Sequence, residues 1–387
     1  MKAILTVNSG SSSLKLGLFA EDLSTLAMCH VDRIGRREAA MKIHDAKGRG
    51  LPMPAHAPKA FATNTQALRT ALEVFRADFP GLEVVVIGHR VVHGGISHAA
   101  PVRLDEETMK DLARLAPFAP LHQPHNLAGV RAAAELFPGT PQIACFDTAF
   151  HRGHDFVNDT YALPHAYYAR GLRRYGFHGL SYDYIAGELA RTEPALHAGR
   201  VVVAHLGSGA SMCAISGGRS VDSTMGFSAL DGLPMGTRSG QIDPGVLLYM
   251  LQNEGMDAGQ LTDLLYKQSG LLGMSGVSND MRTLEGSDDP HAAEAIAYFC
   301  HRIRREMAAL AASMGGLDGV VFCGGIGENS APVRAQACAG MDWLGLSIDA
   351  AANAQAARDI GAGRVRVLVI PTNEEIIIAR AAKQVMG

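Results

Sequence analysis

The sequence predicts an α/β protein in which one strand–turn–strand design occurs twice, once in each half, with a nucleotide held in the cleft between the halves. Three observations carry that prediction. The stretch RVVVAHLGSGASMCAISGG (200–218) reads as a buried strand from Val201 to Ala204, a turn of Gly207, Ser208 and Gly209, and a second strand from Ser211 to Ile215. AILTVNSGSSSLKLGLF (3–19) repeats it, with Asn8 aligned on His205 and Gly10 on Gly207. Such turns let backbone N–H groups approach a phosphate, because no Cβ stands in the way. Third, five buried strands end in polar or glycine turns, around Asn8, Asp147, Ser208, Gly325 and Glu374.

A length of 387 residues favours two domains. Net charge is −3, which indicates neither a nucleic-acid footprint nor a polybasic membrane segment. Six scattered cysteines without a C-x-x-C read as reduced core residues of a cytoplasmic protein. No apolar run reaches membrane-spanning length.

In chain order, residues 24–58 read as the least regular part of the first half. A helix is expected over 64–79, stopped by Pro80-Gly81, and then a buried strand enters GHRVVHGG, a loop carrying Arg90 and His93. After a helix near 105–115, Pro117, Pro120 and Pro124 break helical continuity and set His122 on a stiff loop. A helix over 126–137 follows, then the strand of PQIACFDTAFH with Asp147 at its carboxyl end, where open α/β sheets place ligand-binding side chains.

In the second half, His178 and Gly179 are expected in a turn before a helix capped by Ser181. Arg238 sits in a Gly-flanked loop, and Asp243-Pro244 opens a helix. Apolar residues at three- and four-residue steps predict a long helix over 291–314. GVVFCGGIGENSAPVRAQA reads as strand, glycine turn and helix, a turn suited to an anion or ribose. A final strand, turn and helix follow, with Thr372 as cap and Glu375 at the capping-box position.

No Lys follows a Gly, so a Walker P-loop is absent, and the glycine turns miss the last Gly of the dinucleotide fingerprint. His89 and His93 would share a face only on a helix, whereas the residues before them read as strand. The pairs His122/His125 and His151/His154 are interrupted by Pro124 and Gly153. A histidine-rich metal hydrolase is therefore the lesser reading. A non-catalytic nucleotide-binding assembly protein would not need Arg90, His178 and Arg238, and all three are present.

Nine stretches together carry a resemblance: NSGSSSLK (8–15), GHRVVHGG (88–95), PLHQPHN (120–126), FDTAFH (146–151), RYGFHG (174–179), HLGSGAS (205–211), MGTRSG (235–240), GGIGEN (324–329) and PTNEE (371–375). The chain resembles the acetate kinase family of short-chain carboxylate kinases, within the actin, Hsp70 and sugar-kinase superfamily. The resemblance implies two duplicated actin-like (ribonuclease H-like) domains facing a central nucleotide cleft, with residues 1–149 plus 372–387 in one and 150–371 in the other. It implies a homodimer, and Mg²⁺-dependent, reversible, in-line transfer of the ATP γ-phosphoryl group to acetate, with propionate or butyrate as alternatives and Mn²⁺ able to substitute.

The resemblance also implies roles for particular residues. Arg90 and Arg238 hold the carboxylate and the transferring phosphoryl group, His178 donates to that group, and Asp147 is the catalytic carboxylate. Asn8 and Glu374 belong to the magnesium site. Val92, Leu121, His122 and Phe177 surround the substrate, and Lys15 reaches a phosphate. His205, Leu206, Gly207, Ser208 and Gly209, then Asp280, Met281 and Arg282, then Gly325, Ile326, Gly327, Glu328 and Asn329 contact the nucleotide. The chain departs from the usual family pattern at Ser208 (commonly Asn), Tyr182 (commonly His), Gln241 (frequently Asp) and Ala229 (typically Pro).

Physics supports these roles and limits one of them. A carboxylate substrate has a pKa of roughly 4 to 5 and is already ionised at neutral pH, so it needs no general base. Asp147 is therefore expected to position groups or support the metal. The difficulty is repulsion between anions, about 4 kcal/mol for unit charges 4 Å apart at an effective dielectric of 20. Arginines and a divalent cation answer it.

Overall fold

A computed structural model of the chain describes residues 1–10 and 12–386; Ser11, within the NSGSSSLK stretch, lies outside the described residues. The chain divides into two compact units, Met1–Ala149 with Asn373–Gly387, and Phe150–Thr372.

The first unit holds a seven-stranded sheet in the order β4-β3-β2-β1-β5-β7-β6. Its strands are β1 (Lys2–Ser9), β2 (Leu14–Ala20), β3 (Thr25–Asp32), β4 (Ala40–Asp45), β5 (Glu83–Val91), β6 (Val102–Arg103) and β7 (Gln142–Phe146). The second unit holds β10-β9-β8-β11-β12, with β8 at Arg200–Leu206, β9 at Ala210–Ser216, β10 at Arg219–Ser223, β11 at Gly319–Cys323 and β12 at Arg366–Val369. One design underlies both. In each sheet consecutive strands meander antiparallel, four in the first (β1–β4) and three in the second (β8–β10), and the first of them pairs parallel with a later strand that itself pairs parallel with another. This is the duplicated α/β arrangement that the two glycine turns predict.

Strand β1 is buried over Ala3–Val7, because one face meets the Gln123–Leu136 helix, beside which the Asn64–Asp78 helix covers β2 and β3, and the other meets the Glu374–Met386 helix. Leu5, Leu16, Leu18, Leu68, Leu72 and Phe75 lie in one apolar core on the first of these faces. At about 25 cal/mol per Å² such burial is the main force holding the layers together. In the second unit Ile185 and Leu189 of the Gly179–Thr192 helix pack on Val201, Val203, Ile215 and Val321. The Pro290–Ser313 helix packs on β8 and β9, burying Phe299, Ile303, Met307 and Leu310 as the helical spacing predicts.

Several local expectations need correction. Residues 24–58 contain β3 and β4; only Ile43 of β4 is buried, since β4 is an edge strand, and that is why alternation is weak. The helix expected from 126 begins at Gln123 with His122 as its cap residue, because Pro124 fits a first turn, where its missing N–H has no helical partner to lose. GGIGEN is not an open turn: Gly324–Asn329 is a short helix. Ser181 does not cap the helix that starts at Gly179; the cap position belongs to His178, in a left-handed conformation at φ 57°. Thr372 is not the last helix's cap either, since Asn373 Oδ1 accepts from the Ile376 N–H at 3.1 Å.

All six cysteines are buried. No helix among the described residues is long and apolar enough to cross a membrane.

Candidate active site

In the first unit the predicted residues gather where β1, β5 and β7 end. Arg90, on β5, donates from Nε to Asp147 Oδ1 at 2.9 Å and from Nη2 to Oδ2 at 2.6 Å, a bidentate pair. Its Nη1 lies 3.4 Å from Asn8 Oδ1 and 3.8 Å from Glu374 Oε2. Burial works against the guanidinium charge, but Asp147 and Glu374 outweigh it and hold the group above its ordinary value. Burial and the neighbouring Glu374 charge raise the Glu375 carboxyl. Lys15 is exposed on β2, in register opposite Asn8. Among the described residues no three His, Cys, Asp or Glu side chains form a metal-holding group. A cation that keeps waters and phosphate oxygens as ligands needs only one or two carboxylates. The oxygen donors Asn8, Glu374 and Asp147 around Arg90 fit such an ion.

Side-chain amides hold this region in shape. Asn126 donates to the Ser9 carbonyl at 2.7 Å and accepts from the Val92 N–H at 3.0 Å, tying the end of β1 to the loop after β5. Gln123 accepts from the His93 N–H and donates to the carbonyls of His93 and Leu112. Thr148 Oγ1 accepts from the Gly94 N–H at 3.0 Å. Sequence reasoning missed these three residues, although two of them stand inside PLHQPHN, where buried amides in a proline-stiffened stretch were the available signal. Val92 is buried, while Leu121 and His122 are partly exposed.

In the second unit, Arg238 and His178 converge on the glycine turn. A Cβ built at Gly209 would lie 3.0 Å from Arg238 Nη2 and 3.3 Å from His178 Nε2, so a side chain there would press on both nitrogens. Arg238 Nη1 donates to the Ala229 carbonyl at 2.7 Å. The Arg238 loop is tied to the turn by the Gly236 N–H, which donates to the Ser208 carbonyl at 3.1 Å. Gly270 supports that loop at φ 61°, where a Cβ would stand 2.1 Å from the Met235 carbonyl oxygen and 2.6 Å from that of Arg238. The His178 ring stacks on His205 with centroids 4.4 Å apart, and His205 Nδ1 lies 2.8 Å from Ser181 Oγ. His151 Nε2 donates to the carbonyl of Phe177, a buried residue, which fixes the turn from behind.

A pocket of about 560 Å³ is lined by Gly207, Ser208, Asp280, Met281, Arg282, Gly325, Ile326 and Asn329, so three stretches distant in sequence meet there. The remaining predicted nucleotide residues do not line it. His205 and Leu206 end β8 and Gly209 belongs to the turn that follows, and Leu206 and Gly327 are buried. Glu328 turns inward: its Oε1 accepts from the N–H groups of Gly324 and Thr372, so it shapes the short helix. Asp280 caps the Met281–Glu285 helix and pairs with exposed Arg282 at 3.0 Å, and hydrogen bonding to Arg282 lowers its carboxyl pKa.

The His151/His154 pair and His89 serve structure. His151 Nδ1 and His154 Nε2 both meet Ser220 Oγ, at 2.8 and 2.7 Å, and His89 Nε2 meets the Gln142 amide at 2.7 Å. Burial pushes His89 and His154 down to about 4, and His151 well below its ordinary value. In the unfolded chain each titrates near 6.5, so below that pH the unfolded chain takes up protons that the fold refuses. Their contribution is complete above pH about 6.5 and is lost toward pH 4, at about 1.4 kcal/mol per pH unit and group. The thermal midpoint is expected to fall across that window, less steeply in His89→Gln, as measured by calorimetry.

Residues 3–380 match the model of a family described as the acetokinase family. The chain is 51% identical over 393 residues to an acetate kinase of Methylocella silvestris, covering 98% of this chain and 96% of that protein. Among solved structures it is similar to Porphyromonas gingivalis acetate kinase, with a TM-score of 0.87 and 34% identity over 100% of both chains. It is also similar to a propionate kinase of Francisella tularensis, with a TM-score of 0.91 and 33% identity over 99% of this chain and 100% of that one.

Proposed function

The chain belongs to the acetokinase family, and from that membership we propose that it transfers the γ-phosphoryl group of ATP to the carboxylate of acetate, giving acetyl phosphate and ADP. The observation that carries the reading is a pair of arginines, each locked by an oxygen acceptor: Arg90 by Asp147 and Arg238 by the Ala229 carbonyl. Two anions must meet for this reaction, and fixed guanidinium groups offset their repulsion without reorganising as charge spreads over the phosphoryl oxygens.

Arg90 holds the acetate carboxylate, with Val92, Leu121, His122 and Phe177 assigned to the surroundings of its methyl group. Asp147 holds Arg90 rather than removing a proton, because the acceptor carboxylate arrives ionised. Arg238 and His178 Nε2 donate to the transferring phosphoryl group. The pocket at Gly207, Asp280 and Gly325 takes the nucleoside, with backbone N–H groups of the glycine turn on the phosphates, and Lys15 adds a further positive charge. Asn8 and Glu374 would hold Mg²⁺ or Mn²⁺, which when bound neutralises phosphate charge.

The test is trapping of acyl phosphate as hydroxamate with ATP, Mg²⁺ and acetate, propionate or butyrate. Acetate is expected to give the highest kcat/KM. Propionate should follow within about 200-fold, since one methylene discriminates by only about 1–3 kcal/mol. No acyl phosphate from any of the three acids would sink the reading.

A homodimer is proposed on a separate observation. The Pro244–Gln252 helix is rich in apolar residues, yet none of its residues is buried; Leu248 and Tyr249 are 53% and 56% exposed. Apolar faces of this kind mark association surfaces. Sedimentation is expected to give twice the chain mass, and the monomer mass for Leu248→Glu combined with Tyr249→Glu. The reduced, buried cysteines support a cytoplasmic setting.

A further inference from the structure

His178 reaches the protein behind it through a hydroxyl. Its Nδ1 lies 2.8 Å from Oγ of Ser211 on β9, and the same oxygen lies 2.5 Å from Oη of Tyr182, in the first turn of the Gly179–Thr192 helix. Tyr182 and Ser211 are both fully buried. The Tyr182 ring stands edge-on to His151, with centroids 5.6 Å apart, and tilts against Phe150. Packed on two sides, the phenol is held against Ser211.

Proton inventory gives this short chain a direction. A serine hydroxyl owns one proton, and a neutral imidazole carries one proton on one of two nitrogens. The phenol is the stronger acid of the two hydroxyls, which favours donation from Tyr182 Oη–H to Ser211 Oγ and from the Ser211 hydroxyl to His178 Nδ1. An accepting Nδ1 places the ring proton on Nε2, the nitrogen that converges with Arg238 Nη2 at Gly209. Stacking on His205 fixes the plane of the same ring.

We propose that Tyr182 is a positioning residue for phosphoryl transfer: through Ser211 it selects the Nε2–H tautomer of His178 and aims that N–H at the transferring group. The proposal rests on the assignment of His178 as a donor to that group. It also gives a purpose to Tyr182 at a position where the family commonly carries His, since the phenol brings an O–H to Ser211 Oγ.

Tyr182→Phe removes one oxygen and keeps the ring packing. The expected result is a roughly tenfold fall in kcat with the KM values for acetate and ATP within about twofold, because the loss falls on the transition state. Nitrogen-15 spectra of histidine-labelled protein should show His178 as Nε2–H in the parent and as a tautomer mixture in Tyr182→Phe. Ser211→Ala should behave alike, and the double variant should lose no more than either single one, as expected for one relay. An unchanged kcat or an unchanged His178 spectrum in Tyr182→Phe overturns the proposal, as do losses that add in the double variant. His178→Ala is measured in parallel. A large loss there beside a silent Tyr182→Phe overturns this inference alone, whereas full activity there overturns the donor role of His178 itself.

Discussion

Replacing Arg238 with alanine is expected to lower kcat for acetyl phosphate formation about 10³- to 10⁵-fold, the range seen when an arginine acting on a transferring phosphoryl group is removed. One end of the guanidinium is spent on the Ala229 carbonyl, which fixes the fork, and the other lies close over Gly209 of the glycine turn, as His178 Nε2 does. The repulsion it offsets is about 4 kcal/mol per pair of unit charges at 4 Å. Its loss is therefore felt when the two anions are closest. Lysine should restore little, because a compact ammonium cannot hold the Ala229 carbonyl and reach the turn at once. Hydroxamate assays give the rate, and an unchanged thermal midpoint confirms an intact fold. A variant that keeps a tenth of parental kcat would remove Arg238 from the mechanism.

The largest effect on stability is expected at Arg334. It is completely buried and donates to the carbonyls of Gly327, Glu328 and Asn353 at 2.9–3.0 Å and to Asn353 Oδ1 at 2.7 Å. Two of these carbonyls belong to the Gly324–Asn329 helix, whose other face lines the pocket. Arg334→Met fills similar space but leaves four buried acceptors without their donor, at about 1–3 kcal/mol for each that water cannot reach. A loss of about 4 kcal/mol follows, seen as a thermal midpoint lowered by roughly 10 °C, together with weaker ATP binding by calorimetry. A midpoint within 2 °C of the parent would refute the account.

How much of this was legible in the sequence depended on the physical range of each signal. The repeated strand–turn–strand units announce themselves because a strand end, a glycine turn and a returning strand are contiguous. So does the Pro290–Ser313 helix, whose buried residues keep a regular step. Strand β4 was not legible, since an edge strand with one buried side chain has no alternation to show. Ser181 and Thr372 look like helix caps, but their hydroxyls bond each other at 2.8 Å, a contact between residues far apart in sequence. The same limit hid Gln123, Asn126 and Thr148, whose partners lie on other strands and loops. Glu328 stands in a motif that implies nucleotide contact, yet its carboxylate faces the backbone of its own short helix. A motif fixes which residues gather; which way each one points is decided by packing.

The way the first unit is assembled bears on how the protein is made. Its last helix, Glu374–Met386, lies against β1, β5 and β7 but is separated from them by the whole of the second unit. On the ribosome, residues 1–149 emerge with one face of their sheet lacking its cover, and they must wait while 150–372 are synthesised. The second unit, continuous in sequence, can close first. Glu374 arrives with the late helix, so the nascent polypeptide gains the oxygen cluster around Arg90 only after both units exist. A chain that stops short of Glu374 therefore lacks both the cover of this sheet and one oxygen of the cluster around Arg90.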